Sequence, residues 1–363
     1  MSRILVTGGC GYIGSHICLT LLEQNHELIV FDNFSNSSPL AIERVINIAK
    51  KSNVNKKNKI ELIKGDIRNL SNIENLFKKY FEQDKPIDSV LHFAGLKSVK
   101  ESVLNPIKYW EVNVIGTHNL LKVMDKYKCK TFVFSSSATI YGDSKKMPIS
   151  ENSNIKPVNP YGNTKAAVEK LLFDIADCPT DLQEVQKSSR SGWRIASLRY
   201  FNPVGAHNTG LIGESPNGTP NNLFPAITNV AIGNRDTLKI FGDDWPTPDG
   251  TCIRDYIHVM DLASGHIAAL NFLLNSSPKI LTLNLGTGNG TSVMQALKTF
   301  EKVSKRKINF EILNRRSGDS AITVADVSRA EKYLNWKAKR DLKDMCASSW
   351  NWQKTNPNGY DKS

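Results

Sequence analysis

The chain lacks any long apolar run, any Cys-x-x-Cys pair and any His-x-x-x-His pair. A membrane-spanning helix needs about 18 consecutive apolar residues, and nothing near that length is present. The apolar stretch Ile4–Val6 is also too short for the core of a secretory signal. The 6 cysteines are scattered, as expected of free thiols in a reducing compartment. We therefore expect a cytoplasmic protein with no membrane partner, no disulfide framework and no metal site.

Acidic residues are too few to balance the basic ones, and 47 Lys and Arg against 35 Asp and Glu give a net charge of +12. Such an excess is one signature of a protein that binds nucleic acid or another polyanion. The lysines are spread along the chain, however, and no basic helix with interleaved aromatic residues is present. We expect no nucleic-acid partner, and salt-dependent retention on a nucleic-acid column would discriminate the alternative.

What is present in residues 1–200 is an alternation of short apolar runs with helical patterns. The runs are Ile4–Val6, Leu28–Phe31, Ile60–Ile63, Ser89–Phe93, Thr131–Phe134 and Ile195–Leu198. Apolar spacing at Ile13, Ile17 and Leu21 predicts the first helix, and further helices begin near Pro106 and Pro160. Alternating strands and helices of this kind predict an α/β fold with a Rossmann-type doubly wound parallel sheet.

The remainder of the chain contains two long segments rich in glycine, asparagine and proline, at residues 205–222 and 242–250. Long irregular loops in a compact domain are more often functional than idle. We expect a cofactor-binding domain over residues 1–200 and a smaller C-terminal α/β lobe that binds substrate over 201–363. The chain is expected to cross back to the first domain around residues 253–290.

Three glycines, Gly8, Gly11 and Gly14, follow the first strand and open the first helix. This spacing permits a tight turn and lets a pyrophosphate approach the helix N-terminus. The second strand ends at Asp32, whose carboxylate can accept both ribose hydroxyls and would repel a 2′-phosphate, which favours NAD over NADP. A glycine-rich turn that binds nothing is the alternative.

Other predicted strands also end in residues suited to a cofactor. Asp66 could accept a hydrogen bond from the adenine amine, and Lys97, in the segment Phe93–Lys97, could meet a pyrophosphate. Taken alone, each of these charges would be an ordinary surface residue.

Tyr161 and Lys165 are four residues apart at the start of the third helix, so they share a face that Val168 and Leu172 continue. An inward lysine needs a reason, and an ammonium beside a phenol favours the phenolate, the form that acts as a base. Bringing the pKa of a phenol from about 10 to about 7 requires roughly 4 kcal/mol. Ser137 ends the preceding serine-rich strand and offers a hydroxyl to the reacting oxygen. The pattern predicts a catalytic Tyr161, Lys165 and Ser137.

These segments together resemble the extended short-chain dehydrogenase/reductase superfamily and, within it, the UDP-glucose 4-epimerases. The resemblance runs nearly end to end, and the segments that carry it are 7–15, 93–97, 135–142, 161–165, 198–207, 220–223, 240–242, 254–261, 315–319 and 350–353.

The resemblance implies an isomerase that interconverts UDP-galactose and UDP-glucose and keeps its NAD bound. Tyr161 would take the proton of the sugar 4-hydroxyl while hydride passes to the nicotinamide. The resulting 4-keto sugar would swing about its pyrophosphate linkage, and hydride would return to the opposite face.

The resemblance also implies the residues that bind each ligand. For NAD they are Gly8, Gly11, Tyr12, Ile13, Gly14, Asp32, Asn33, Asn36, Ser37, Asp66, Ile67, Phe93, Ala94, Gly95, Lys97, Asn113, Ser135, Tyr161, Lys165 and Tyr200. For the UDP-hexose they are Ser137, Tyr161, Asn202, Asn222, Leu223, Phe241, Arg254, Tyr256, Arg316, Asp319 and Thr323. Phe241 would lie against uracil, Arg254 and Arg316 would pair with the pyrophosphate, and Asp319 would accept a ribose hydroxyl.

Related dehydratases share the fold and the Tyr–Lys pair, but they place one or two carboxylates after the serine, where this chain has Ala138 and Thr139. Dehydration needs that extra acid and base, so it is disfavoured. A simple dehydrogenase that exchanges its cofactor remains as an alternative. A non-catalytic NAD sensor would be supported by loss of Tyr161, Lys165 or Ser137, and all three are present.

Two finer expectations follow from the resemblance. One is a homodimer that pairs the helices at residues 105–126 and 160–176 of each copy. The other concerns Thr323, which falls where some members of the family carry a tyrosine beside the sugar 2-substituent. A small residue there favours additional activity on UDP-N-acetylhexosamines, although groups near Leu223 could close the pocket.

Overall fold

The computed structural model describes residues 2–51, 59–176, 192–216, 218, 222–316 and 318–360. The strands are β1 Arg3–Thr7, β2 Glu27–Asp32, β3 Ile60–Lys64, β4 Ser89–His92, β5 Thr131–Ser137, β6 Arg194–Tyr200, β7 Asn202–Val204, β8 Leu238–Phe241, β9 Ile253–Arg254, β10 Tyr256–His258, β11 Lys279–Leu285, β12 Thr291–Ser292, β13 Phe310–Leu313 and β14 Ile322–Thr323.

The helices are α1 Tyr12–Glu23, α2 Leu40–Lys51, α3 Leu70–Glu82, α4 Val99–Leu104, α5 Pro106–Trp110, α6 Gly116–Lys126, α7 Pro160–Ile175, α8 Leu223–Ala231, α9 Val259–Leu274, α10 Val293–Ser304, α11 Ser328–Leu334 and α12 Leu342–Thr355. A π-helical turn, Glu111–Ile115, joins α5 to α6, and a 3₁₀ turn, Ala138–Tyr141, follows β5.

Two compact units make up the chain. The first consists of residues 1–142, 154–199 and 266–283, and the second consists of residues 143–153, 200–265 and 284–363. The functional roles expected of residues 1–200 and 201–363 stay predictions.

A seven-stranded sheet in the order β3–β2–β1–β4–β5–β6–β11 forms the centre of the first unit. Its pairs β1–β2, β2–β3, β1–β4 and β4–β5 are parallel. The strand order reverses between β1 and β4, which is where ligands bind in sheets of this kind. The predicted doubly wound parallel sheet is confirmed, and its first six strands are those expected from the apolar runs.

The sheet of the first unit is apolar on both faces because helices cover both. Leu5, Val90 and Phe132 belong to one core cluster with Leu120 of α6 and Leu172 of α7. All four residues of β4 and all seven of β5 are buried, including the three serines that end β5. Polar groups buried at that strand end need partners, and this requirement shapes the candidate site.

Two helix starts follow from proline and asparagine. Pro106 and Pro160 occupy the first positions of α5 and α7, where the missing N–H has no intrahelical partner to lose. The Asn159 side chain caps α7 by accepting from the Gly162 N–H at 2.9 Å. The helix expected near residue 105 differs from a regular one, because the π-helical turn interrupts it.

The described part of the second unit contains three small sheets, β7–β10, β12–β9–β14 and β8–β13. Phe224, Tyr256 and Phe300 lie in its apolar core. The buried carboxylate of Asp255 accepts from the Thr287 N–H at 2.8 Å and from the Ala325 N–H at 3.1 Å, so one side chain ties two loops to the end of β9. No helix in the described part of the chain is long and apolar enough to cross a bilayer.

Candidate active site

The glycine loop after β1 is shaped by contacts that leave no room for side chains. Gly8 has a φ of 69°, and a Cβ there would lie 2.5 Å from the Ala94 nitrogen. A Cβ on Gly14 would lie 2.4 Å from the Gly8 oxygen. Among the described residues no side chain caps α1, whose N-cap is Gly11, and the N-terminal end of a helix favours an anionic group. This cradle fits a dinucleotide pyrophosphate.

Asp32 lies beside the glycine loop at the end of β2 and is 6% exposed. Its carboxylate accepts from the Cys10 N–H at 3.0 Å, from the Phe34 N–H at 2.9 Å and from the Ser37 hydroxyl at 2.7 Å. Two carboxylate oxygens offer about four acceptor positions, so this fixed group can still take a ribose hydroxyl. The residues present therefore fit NAD.

Asp66, at the next strand end, already has partners. Arg68 donates to it at 2.8 Å and Asn33 at 3.0 Å. Hydrogen bonds from Arg68 lower the pKa of Asp66 to about 2, and Asn33 adds to this effect, so the group is a carboxylate at neutral pH. Contact of Asp66 with adenine stays a prediction.

Asn113 lies in the π-helical turn and holds the loop that follows β4. Its amide donates to the Leu96 carbonyl at 3.0 Å, and its oxygen accepts from the Leu96 N–H at 2.8 Å. It also donates to the Thr164 hydroxyl on α7 at 3.1 Å. A Cβ on Gly95 would lie 3.1 Å from the Asn113 oxygen, so the loop passes close to it. The structure thus gives Asn113 a loop-positioning role, and its contact with cofactor stays a prediction.

The other predicted cofactor residues of the first unit lie in the segments that follow β1, β2, β3 and β4. The Lys97 ammonium is 5.9 Å from the centre of the Tyr12 ring. Ile67 is 4% exposed and packs in the core, and its contact with the cofactor stays a prediction. Ile13 is in the first turn of α1, Asn36 follows β2, and Phe93 and Ala94 follow β4.

Tyr161, Lys165 and the end of β5 meet as the spacing predicts. The Lys165 ammonium donates to the Ser135 carbonyl at 2.8 Å and lies 5.9 Å from the centre of the Tyr161 ring. Lys165 is 6% exposed. Ser137 hydrogen-bonds the Tyr161 phenol and accepts from the Thr139 hydroxyl at 2.9 Å. A phenol, an ammonium and a hydroxyl therefore converge on one point of the first unit.

Burial controls the protonation of this group. Burial raises the pKa of Tyr161, and the hydrogen bond from Ser137 opposes the rise. Burial lowers the pKa of Lys165 to about 8, and the negative charge of Glu169 opposes that fall. The phenolate predicted from the sequence therefore needs additional positive charge, and an oxidised nicotinamide would supply it.

A second charged group, which begins one helical turn beyond Lys165, was missed by sequence reasoning. Glu169 and Arg199 form a buried ion pair, with each side chain 1% exposed. A signal was available, because Glu169 extends the four-residue spacing of Tyr161 and Lys165 by one more turn. Arg199 was also visible, as a charge directly after the run Ile195–Leu198 that was predicted to be a buried strand.

Two residues predicted for the nucleotide contact each other in the second unit. The guanidinium of Arg316 lies 4.1 Å from the centre of the Phe241 ring. Arg315 stacks in the same way on Trp245, at 4.2 Å. Both are cation–π contacts, which favour arginine over an aromatic face. The structure thus joins an arginine expected at phosphate to the ring expected at uracil.

Arg254, Asp319 and Thr323 also come together. Arg254 donates to the Ser320 carbonyl at 2.8 Å and lies 3.8 Å from the Asp319 carboxylate. In the three-stranded sheet Thr323 is the register partner of Arg254. A carboxylate therefore lies near the Arg254 guanidinium, and a small hydroxyl residue pairs with Arg254 in the sheet.

The remaining predicted substrate residues of the second unit lie in varied surroundings. The Asn222 amide donates to Glu214 at 3.2 Å, and Leu223 begins α8 beside it. Asn202 is on β7, and its backbone N–H donates to the Asp255 carbonyl at 3.0 Å. Tyr256 is 6% exposed and meets Phe224 edge-on, which is the packing of a core residue.

A few of the predicted site residues have no contact in the structure that tests their role, or lie outside the described residues. Tyr200, at the end of β6, is 7% exposed, and its cofactor contact stays a prediction. Residues 220, 221 and 317 of the matching segments lie outside the described residues.

Comparison with known proteins decides the family. The sequence model of the GDP-mannose 4,6-dehydratase family matches residues 5–349. UDP-glucose 4-epimerase 2 of Arabidopsis thaliana is 47% identical over 99% of this chain and 97% of its own length. UDP-glucose 4-epimerase of Bacillus subtilis is 46% identical over 98% of each chain. The chain belongs to the UDP-glucose 4-epimerase family. The resemblance inferred from the motifs is thereby confirmed.

A solved member of the epimerase family has the same fold. The crystal structure of UDP-glucose 4-epimerase from Bifidobacterium longum, in complex with NAD+ and UDP, has a TM-score of 0.88 and is 43% identical, covering 99% of this chain and 100% of that one. The fold prediction is confirmed at the level of the whole chain.

The geometry of Lys165 generates a first prediction. Replacing Lys165 with Ala removes the ammonium that favours the phenolate, so the pH optimum should move upward while turnover slows. In the native chain this charge is present below pH about 8, where the pKa of Lys165 lies. The measurement is kcat against pH for both proteins. An unchanged pH profile in the variant would remove this role from Lys165.

Proposed function

We propose that the chain interconverts UDP-galactose and UDP-glucose, with NAD as a resident cofactor. The observation that carries the proposal is the convergence of Tyr161, Lys165 and Ser137 at the end of β5, in the same unit as the glycine cradle and Asp32. Membership of the epimerase family supports it.

The cofactor would be held by the glycine cradle and by Asp32. The first turn of α1 supplies N–H groups to the pyrophosphate, and the Asp32 carboxylate accepts from the ribose. When bound, NAD supplies a hydride acceptor for the sugar carbon and afterwards returns the hydride. The Asn113 amide keeps the loop after β4 in the conformation seen here through its two hydrogen bonds with Leu96.

Tyr161 acts as the base in this proposal, since it takes the proton of the sugar 4-hydroxyl and later gives it back. The Ser137 hydroxyl would hydrogen-bond that oxygen, and its interaction with Tyr161 lowers the pKa of the phenol. The Lys165 ammonium stabilises the phenolate, because it is held close to the ring by the Ser135 carbonyl. Proton transfer by a placed base contributes about a hundred- to ten-thousand-fold in rate.

The nucleotide of the substrate would be bound by residues of the second unit. Arg254 and Arg316 supply positive charge for the pyrophosphate, and Phe241 supplies a face for uracil. Because Arg316 lies on one face of the Phe241 ring, uracil takes the other face or Arg316 moves onto phosphate. A firmly bound UDP and a loosely held sugar allow the 4-keto intermediate to turn and present its opposite face.

The dehydratase alternative is disfavoured by the residues after Ser137. Ala138 carries no functional group, and the Thr139 hydroxyl donates to Ser137. Neither can protonate a leaving hydroxyl or remove a proton from a neighbouring carbon, which dehydration requires. A dehydrogenase that exchanges its cofactor is the remaining enzymatic alternative, and retention of NAD through purification distinguishes the two.

A homodimer and a cytoplasmic location are further parts of the proposal. Of the two ranges expected to pair, residues 105–126 expose Ile107, Trp110 and Ile115, at 76%, 43% and 53%. An apolar patch of this kind favours burial against another surface. Within residues 160–176 no large hydrophobic side chain is among the exposed ones. Five buried free thiols in the described part of the chain agree with a reducing compartment.

The proposed reaction predicts a spectroscopic signal. On addition of UDP-galactose, with no cofactor added, the purified protein should show the absorbance of reduced nicotinamide. Tyr161→Phe should keep folding and NAD but lose turnover by about a hundred- to ten-thousand-fold, because the ring stays and the base is gone. Tyr333→Phe on α11 is the matched control. Wild-type turnover in Tyr161→Phe would refute the mechanism.

The exposed apolar patch predicts the oligomeric state. Light scattering at micromolar concentration should give twice the chain mass of 40.5 kDa. Ile107→Asp should reduce this to one chain mass, because a carboxylate would be buried in the interface. Ile312→Asp changes another exposed apolar residue, on β13, and should leave the dimer intact. A monomeric wild type would contradict the proposal.

The size of residue 323 predicts substrate range. Thr323 is half-buried on β14 beside Arg254, and threonine leaves space that tyrosine would fill. The native enzyme should therefore epimerise UDP-N-acetylgalactosamine as well as UDP-galactose, and Thr323→Tyr should lose mainly the acetylated sugar. Thr291→Tyr, on the opposite neighbour of Arg254, is the control and should not discriminate between the sugars. Absence of acetylated-sugar turnover in the wild type would disprove the idea.

A further inference from the structure

Three successive residues of β5 meet three side chains of α7, one turn apart. The Ser135 carbonyl accepts from Lys165, the Ser136 hydroxyl donates to Glu169, and Ser137 hydrogen-bonds Tyr161 at the start of the helix. Two of these three contacts hold groups of the proposed reaction. The third, at Glu169, takes no part in the proton transfer described above.

Glu169 extends its contacts to the next strand. Arg199 on β6 donates to it through Nε at 3.0 Å and through Nη2 at 2.6 Å, a two-pronged ion pair. Arg199 also donates through Nη1 to the Tyr141 hydroxyl at 2.9 Å, in the 3₁₀ turn that follows β5. One carboxylate thus connects α7 to β5 directly and to β6 and the 3₁₀ turn through Arg199.

We propose that Glu169 and Arg199 are positioning residues that fix the register of α7 along β5 and so place the Lys165 ammonium beside the Tyr161 phenol. The inference rests on the proposed function, because it assigns the pair a task in the ionisation of Tyr161. Neither residue touches the reacting atoms.

The contacts of Glu169 depend on direction and distance, which apolar packing does not. An apolar pair would hold α7 against the sheet but would tolerate sliding along the strand. A carboxylate that accepts from Ser136 and from two nitrogens of Arg199 has one satisfactory position. Replacing a buried ion pair by apolar residues is often neutral for stability, so a directional task is the better account of these charges.

In the described part of the chain, the charged and titratable groups around Glu169, Lys165 and Tyr161 come from four elements. They are Tyr161 on α7 itself, His92 on β4, Arg199 on β6 and Tyr141 in the 3₁₀ turn. Burial lowers the pKa of His92 to about 3, with Lys165 adding to the effect, so His92 is neutral during turnover. Glu169 and Arg199 cancel in net charge, but the charge of Glu169 raises the pKa of Lys165, so Ser136→Ala, which removes no charge, is the variant that tests position alone.

The test compares pH profiles of kcat. In the double variant Glu169→Gln, Arg199→Met, α7 is free to shift, the ammonium acts less on the phenol and the pKa of Tyr161 rises. Turnover needs the phenolate, so the acid limb should move up by about one pH unit, with about a tenfold loss of kcat at pH 7 and an unchanged KM. Ser136→Ala removes one link only and should shift the limb in the same direction by less.

A control variant removes the same kind of interaction elsewhere. Glu151 is 3% exposed, accepts from the Asn284 N–H at 2.8 Å and lies 3.7 Å from Arg329. Glu151→Gln in the second unit should lower thermal stability without moving the acid limb. If the double variant fails to fold, Ser136→Ala against this control decides the question.

A second readout does not depend on turnover. The phenolate of Tyr161 is titrated by ultraviolet difference absorbance of the NAD-bound protein, with Tyr161→Phe subtracted, and its pKa should rise in step with the acid limb. An acid limb and a phenolate pKa at the wild-type positions in every folded variant would overturn the inference. Failure of the proposed function would be detected by a different measurement, because the wild type would then show no bound reduced nicotinamide with UDP-galactose.

Discussion

The docking of one helix onto one strand end organises the first unit. Helix α7 meets β5 at Ser135, Ser136 and Ser137, and the Glu169–Arg199 pair joins the same helix to β6. Taking a single charge out of water costs several kcal/mol, so each member requires the other. The first unit thus contains one buried polar layer, made of the serines, the lysine and the ion pair. Its members hydrogen-bond one another.

Much of the first unit could be predicted because its signals are local. Apolar runs mark parallel strands that are covered on both faces, and the glycine spacing marks the turn between β1 and α1. Lys165 was predicted to face inward because Val168 and Leu172 continue its face, and both are fully buried. Spacing on a helix predicts which residues share a face. It does not predict which group on another strand they meet, so the partnership of Glu169 with Arg199 was missed.

The second unit was less predictable because its contacts join distant segments. Strand β13 pairs in parallel with β8, and the pair Leu313–Phe241 brings the following arginines over the aromatic rings. The sequence pattern of neither segment predicts that β13 pairs with β8. Asp255 illustrates the same limit. In the sequence it is one polar residue of a motif, whereas in the structure its carboxylate is buried and accepts from backbone N–H groups of two other loops.

The π-helical turn at residues 111–115 has a consequence for the phase of the helix that contains it. An extra residue within a turn rotates all that follows by about 100° relative to an uninterrupted α-helix. Within the turn Asn113 faces a loop and α7, while beyond it Leu120 and Met124 face the core. The rotation thus lets the polar face with Asn113 and the apolar face with Leu120 and Met124 each point toward its own partners. A deletion of one residue in this turn would restore regular hydrogen bonding and bring polar and apolar faces out of step with their partners.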